Sequence, residues 1–134
     1  MYSLAKQLAG RMKAIMEIES EIAEAERESE HQGEKLVRDL EQKRSDLIKT
    51  FSRDELLVIK TVMKVGRSER GYRYHFNSNE IEIINLPIEL NNHELMQKYS
   101  YYLVHKTKQE LAHGIEYYTA VSEQLKEGME ILKL

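Results

Sequence analysis

The chain has 134 residues, of which 41% are hydrophobic and 32% are charged, and its formal net charge is −3. This length suits one domain, and the apolar fraction is sufficient for a packed core, which excludes a chain disordered by composition. The absence of cysteine excludes disulfides, thiol catalysis and cysteine zinc sites, and it is typical of a cytosolic protein. We therefore expect a single cytoplasmic domain over residues 1–134.

Residues 1–31 are predicted to form a long helix. Its apolar residues follow a seven-residue repeat interrupted at Arg11, which would keep one apolar seam turned toward a partner helix. The repeat comprises Leu4, Leu8, Ile15, Ile18, Ile22 and Ala25. Residues 17–34 also hold eight glutamates and one arginine. This acidic stretch has three interpretations: a docking face for a basic partner, a nucleic-acid mimic, or a solvated helix face.

Two shorter helices are predicted over residues 34–66. Gly33 marks a break or a bend before the first of them, because glycine weakens a helix interior. Ser52 and Glu55 have the spacing of a capping box, which predicts that the second helix begins directly after Ser52. This helix is apolar around most of its surface, so we expect it to be the most buried element.

The apolar period changes from helical to alternating after Gly71. Tyr72, Tyr74 and Phe76 alternate with polar residues, and the same pattern recurs at Ile81 and Ile83. Alternation on both sides of a short polar turn predicts a β-hairpin over residues 72–86. Because an isolated hairpin is marginal in water, it should lie on the helices or pair with a second copy.

Residues 92–133 are predicted to form a second long helix, with Asn91 as its N-cap. Its apolar repeat is interrupted at Ser122 and comprises Leu111, Ile115, Tyr118, Leu125, Met129 and Leu132. Such a helix would be about 60 Å long, whereas a compact domain of this size has a radius of gyration of roughly 14 Å. An overhanging helix favours a homodimer through coiled-coil-like packing. The predicted fold is mainly α, with long antiparallel N- and C-terminal helices, two shorter helices and one small β-hairpin.

Several tyrosines of the last segment are candidates for binding a protein partner, because tyrosine is enriched in interfaces. They are Tyr99, Tyr102, Tyr117 and Tyr118. The alternative interpretation is that they pack in the core and the helical seam, with their hydroxyl groups in contact with water.

A basic stretch offers a nucleic-acid alternative. Two helices followed by a hairpin with flanking arginines have the outline of a winged-helix module, in which a helix enters the major groove. The phosphate contacts would come from Lys60, Lys64, Arg67, Arg70 and Arg73. Against this interpretation, the domain as a whole is not basic, and its third helix is too apolar to present a polar face to base edges.

The sequence contains no specific catalytic motif. Two Glu-x-x-His spacings, Glu28 with His31 and Glu110 with His113, have the form used in di-iron bundles, but two such spacings are unsurprising by chance in a chain this rich in glutamate. We therefore expect no catalytic residue, no cofactor, no metal and no membrane span. The leading hypothesis is a non-enzymatic adaptor or inhibitor that acts through helical surfaces, forms a homodimer and binds a further protein. The alternative is a dimeric winged-helix-like DNA-binding regulator.

Overall fold

The computed structural model describes residues 1–28, 31–85 and 87–134. Within these ranges the chain is mainly helical, which confirms the mainly α part of the prediction. The elements are α1 (Tyr2–Arg27), α2 (His31–Lys49), α3 (Arg53–Ser68), β1 (Tyr72–Asn77), β2 (Glu80–Asn85), α4 (Asn92–Ser100), α5 (Lys108–Glu116) and α6 (Val121–Leu132).

Helix α1 turns its apolar repeat into the core of its own chain. The buried residues are Ala5, Leu8, Met12, Ile15, Ile18, Ile22 and Ala25. Helix α2 returns along α1, because Glu19 of α1 pairs with Arg44 of α2 at 2.8 Å and Gly33 lies beside the carbonyl oxygen of Ala25. The predicted seam is therefore covered within the monomer, and it is not free to receive a second chain.

Helix α3 lies at the centre of the domain, with α1, α4, α5 and α6 packed against it. The predicted capping box is present: the Ser52 hydroxyl accepts from the Glu55 amide, and the Glu55 carboxylate accepts from the Ser52 amide. Nine of the sixteen residues of α3 are buried, as expected for its apolar composition. The helix continues past its predicted end at residue 66, because Gly66 lies inside it against α6.

The predicted single helix over residues 92–133 is wrong, since this segment forms the three helices α4, α5 and α6. Helix α4 ends at Ser100, and a capping box starts α5: the Thr107 hydroxyl accepts from the Glu110 amide, and the Glu110 carboxylate accepts from the Thr107 amide. The apolar repeat survives as short buried faces at Leu111, Ile115 and Leu125. Because the segment folds around α3, the overhang argument for a homodimer through long helices no longer holds.

Strands β1 and β2 pair antiparallel, with Tyr72 opposite Asn85 and Asn77 opposite Glu80. Ile81 and Ile83 of β2 are 64% and 65% exposed, and Ile84 is 42% exposed. The alternation of apolar and polar residues therefore predicted the strand, but its apolar side chains are not buried. Residue 86, the end of the predicted hairpin, lies outside the described residues.

The two ends of the chain meet at α4. The Tyr2 hydroxyl donates to the carbonyl oxygen of Leu132 at 2.7 Å, and the Asn92 side-chain amide donates to the same oxygen at 3.1 Å. These bonds satisfy a carbonyl group that the last turn of α6 cannot pair. They join α1, α4 and α6 at one point.

None of the helices in the described ranges has both the length and the apolar character that are needed to cross a bilayer.

Candidate binding surfaces

The four tyrosines predicted to bind a partner do not have equal exposure. Tyr102 is 74% exposed and Tyr117 is 68% exposed, whereas Tyr99 and Tyr118 are half-buried against the core. Tyr101, which the sequence analysis did not select, is 68% exposed and meets Tyr102 edge to face, with ring centroids 5.1 Å apart. Tyr99, Tyr101 and Tyr102 thus differ in how exposed their side chains are, and no local pattern in the sequence predicts this difference.

Tyr99 and Tyr118 make contacts that position other groups. The Tyr99 hydroxyl donates to the Glu69 carboxylate. Burial, together with this hydrogen bond, raises the pKa of Tyr99. The Tyr118 hydroxyl accepts from the Gln124 side chain at 3.1 Å, and its ring lies 4.8 Å from the Lys60 ammonium. Both residues therefore fit the core-packing interpretation better than the partner-binding one.

Tyr117 and Tyr118 also line an open cavity of about 900 Å³ between α1, α2 and the connection that leads into α6. The Glu19–Arg44 ion pair lies in its wall, with side chains that are 15% and 14% exposed. The Nε of Arg44 is buried and has no hydrogen-bond partner among the described residues. Tyr99 and Tyr102 do not line this cavity, so the predicted tyrosines form no single surface around it.

Strand β2 has exposed apolar residues on both of its faces, because Ile81 and Ile83 project from one face and Ile84 from the other. Ile81, Ile83 and Ile84 are all exposed, and Ile88, which follows Pro87, is 41% exposed. The carboxylates of Glu80 and Glu82, which flank Ile81 in the sequence, are also exposed. Several exposed isoleucines so close together in the chain are uncommon on the surface of a monomeric protein.

The predicted nucleic-acid residues of α3 lie on one face of that helix. Lys60, Lys64 and Arg67 have i, i+4, i+7 spacing, which places them on the same side. The Lys60 ammonium donates to the carbonyl oxygen of Gly114 in α5 at 2.9 Å. Burial lowers the pKa of Lys60, and the charges of Lys64, Lys106 and Arg67 lower it further. The structure also brings Lys106 to α3, because its carbonyl oxygen accepts from the Arg53 guanidinium at 3.0 Å; no motif in the sequence would reveal this contact.

The charge of Arg70 is compensated by a carboxylate. Arg70 donates to the carbonyl oxygen of Arg67 and lies 3.8 Å from the Glu127 carboxylate. The predicted contact at Arg73 involves a side chain outside the described part of the structure. Among the described side chains, the basic group is centred on Lys60.

In the part of the chain that the structure describes, no group of three or more His, Asp and Glu side chains is arranged to hold a metal ion. The Glu110 carboxylate accepts from the backbone of Thr107 at the start of α5. The side chain of His31 lies outside the described residues.

Comparisons of the chain with protein-family models, with curated proteins and with solved structures found no match.

Proposed function

We propose that the protein is a non-enzymatic protein-binding module and that its main contact is the exposed apolar surface of β2. The observation that supports this proposal is the exposure of Ile81, Ile83 and Ile84 on a ribbon of two strands. Apolar area that stays in contact with water costs about 25 cal/mol per Å² relative to burial, so these side chains favour a partner. A two-stranded ribbon is also marginal by itself and gains stability from an added strand.

The partner that we propose for β2 is a second copy of the chain. The outer edge of β2 has backbone groups that a second strand would satisfy. Pairing two β2 strands around a two-fold axis gives a closed, symmetric contact. A register centred on Ile83 sets Glu82 opposite Ile84 of the second copy, which avoids placing like charges opposite each other. The proposed dimer thus uses β2 in place of the predicted helical seams, whose apolar residues are buried within one chain.

Light scattering on a sizing column tests this dimer. The wild-type protein should have a mass near twice 15.8 kDa. Ile83→Lys places a charge in the contact and should shift the mass to that of one chain. Leu36→Lys is the matched control, because Leu36 of α2 is 47% exposed and lies on a different element. At a protein concentration of about 1 mM, even a dimer with a binding free energy of only about −4 kcal/mol would form. A wild-type protein that is still monomeric at this concentration contradicts the proposal.

A dimeric DNA-binding regulator is the second candidate, and the cations on α3 favour it. Beyond its first turn, α3 leaves unburied only Lys60, Lys64, Arg67 and Ser68. These side chains suit phosphate contacts, but they offer few groups that read base edges. A footprint on duplex DNA with a defined sequence preference would support this candidate, and binding that is indifferent to sequence would count against a regulator.

A further inference from the structure

The cations around Lys60 form a group that joins two segments of the chain. Lys60, Lys64 and Arg67 belong to α3, and Lys106 lies just before α5. Lys60 is half-buried at the base, where its ammonium donates to Gly114 and lies over the Tyr118 ring. Lys106 and Arg67 are exposed, and Lys64 is partly exposed. Lys60 is therefore held in place at the base of the group, whereas the other three cations are accessible to a ligand.

Carboxylates compensate little of the positive charge of this group. The pKa of Glu110 is lowered by its hydrogen bonds with Thr107 and also by the charge of Lys106, but the group forms no ion pair in the described ranges. In the described ranges, the ion pairs involve Arg11, Arg44, Arg53, Arg70 and Lys98, and none of the four clustered cations. The charges that shift the pKa of Lys60 all come from cations. Each cation raises the free energy of the others, so an anion that binds among them relieves the repulsion.

Phosphate is the anion that suits this arrangement. Lysine and arginine make charge-assisted hydrogen bonds to phosphate oxygens, and a dianion or a chain of monoanions can engage several cations at once. One of the three ammonium donors of Lys60 is held by Gly114, which leaves others for an oxygen atom. The row from Lys60 to Arg67 is about 10 Å long, at 1.5 Å per residue.

We infer that Lys60, Lys64, Arg67 and Lys106 form a phosphate-binding site. Lys60 is the fixed cation at its base, and Lys64, Arg67 and Lys106 close around the ligand. The ligand is either the backbone of a nucleic acid or a free polyphosphate compound. This site is independent of the proposed contact through β2, because it lies on α3 and the start of α5.

Two direct measurements test the site: fluorescence anisotropy with a labelled oligothymidylate, and isothermal titration calorimetry with inorganic tripolyphosphate. At low salt we expect a Kd of about 10–100 µM, and a slope of log K against log salt of about −2 for three phosphate contacts. Lys64→Gln combined with Arg67→Gln should weaken binding about tenfold and reduce the slope by more than half. The matched control is Lys13→Gln with Lys43→Gln, which changes the net charge equally at exposed positions on α1 and α2.

Each outcome has a defined meaning. Binding of both probes supports a nucleic-acid ligand, and binding of tripolyphosphate alone supports a free phosphate compound. In either case the pKa of Lys60, followed by NMR, should rise when the ligand binds, because the anion removes the repulsion. Absence of binding to both probes at low salt overturns the inference, as does equal weakening by the control pair. The mass from light scattering should be the same in all these variants, which separates this test from that of the β2 dimer.

Discussion

Gly66 of α3 and Gly128 of α6 lie directly against each other. A Cβ atom added to Gly66 would lie 2.6 Å from the backbone nitrogen of Gly128 and would collide with the carbonyl oxygen of Gln124. A Cβ atom added to Gly128 would collide with the carbonyl oxygen of Val62. The two helices therefore approach so closely that only hydrogen fits between their backbones. Neither glycine has a positive φ angle, so glycine is not needed here for its conformational freedom. It is needed because a larger side chain would not fit between the helices.

Gly128→Ala should destabilise the fold by about 2–3 kcal/mol, because the added methyl group meets backbone atoms that cannot turn aside. Urea denaturation measures this change. Gly10→Ala is the control: Gly10 lies in α1 with nothing within 4 Å of an added Cβ. It should stabilise the protein by about 0.5–1 kcal/mol, since alanine favours a helix interior. Equal stability of the two variants would contradict the close contact.

The Glu19–Arg44 pair should respond differently to single and double substitution. Glu19→Leu leaves the largely buried Arg44 guanidinium without its carboxylate, and we expect a loss of about 2–3 kcal/mol. Glu19→Leu combined with Arg44→Met removes both charges and should restore most of that loss, because the Arg44 Nε has no partner among the described residues. A double-mutant cycle in urea measures the coupling. Additive losses in the cycle would show that the pair is not coupled.

Glu55 should make the stability of the protein depend on pH. The backbone amide of Ser52 and the charge of Arg11 lower the pKa of Glu55 from 4.5, and partial burial opposes them. A carboxyl group with a lowered folded-state pKa stabilises the fold above its unfolded pKa, and the stabilisation is lost as the pH falls through the folded-state value. Glu55→Gln should therefore cost about 0.5 kcal/mol at pH 7 and nothing well below pH 4.5.

Urea denaturation of the wild-type protein and Glu55→Gln over this pH range tests the effect of Glu55. Glu17→Gln, an exposed position on α1, is the control and should change stability little at any of these pH values. A difference between the wild-type protein and Glu55→Gln that persists unchanged at low pH would show that the charge of Glu55 is not responsible.

Arg53 should hold the connection between α4 and α5 in place. Its guanidinium donates to the carbonyl oxygen of Lys106 at 3.0 Å through Nη2 and also to that of Val104. Arg53→Lys keeps the charge but loses the planar group that reaches two carbonyls, so we expect a loss of about 1 kcal/mol. Hydrogen exchange should become faster in residues 101–107. Arg38→Ala, at an exposed position on α2, should leave that exchange unchanged.

The comparison of α3 with the last segment shows how far the pattern of residues predicts this fold. The capping box and the continuous apolar run predicted both the start of α3 and its burial, because these signals are local. The capping box of Thr107 and Glu110 is equally local, but the apolar repeat on both sides of it favoured one long helix. Short helices and one long helix can show the same repeat. The choice between them involves Arg53, which is distant in the chain from the carbonyls that it binds.

The candidate sites divide in the same way. The row of Lys60, Lys64 and Arg67 follows from helical spacing, so the sequence by itself determined it. The addition of Lys106 and the exposure of the isoleucines of β2 were decided by the tertiary structure. The amino-acid sequence determined the mainly helical class and the caps, since each depends on residues within a few positions of each other. Only the tertiary structure decided which apolar faces are covered and which charges meet, because burial and electrostatic contact depend on segments that are distant in the chain.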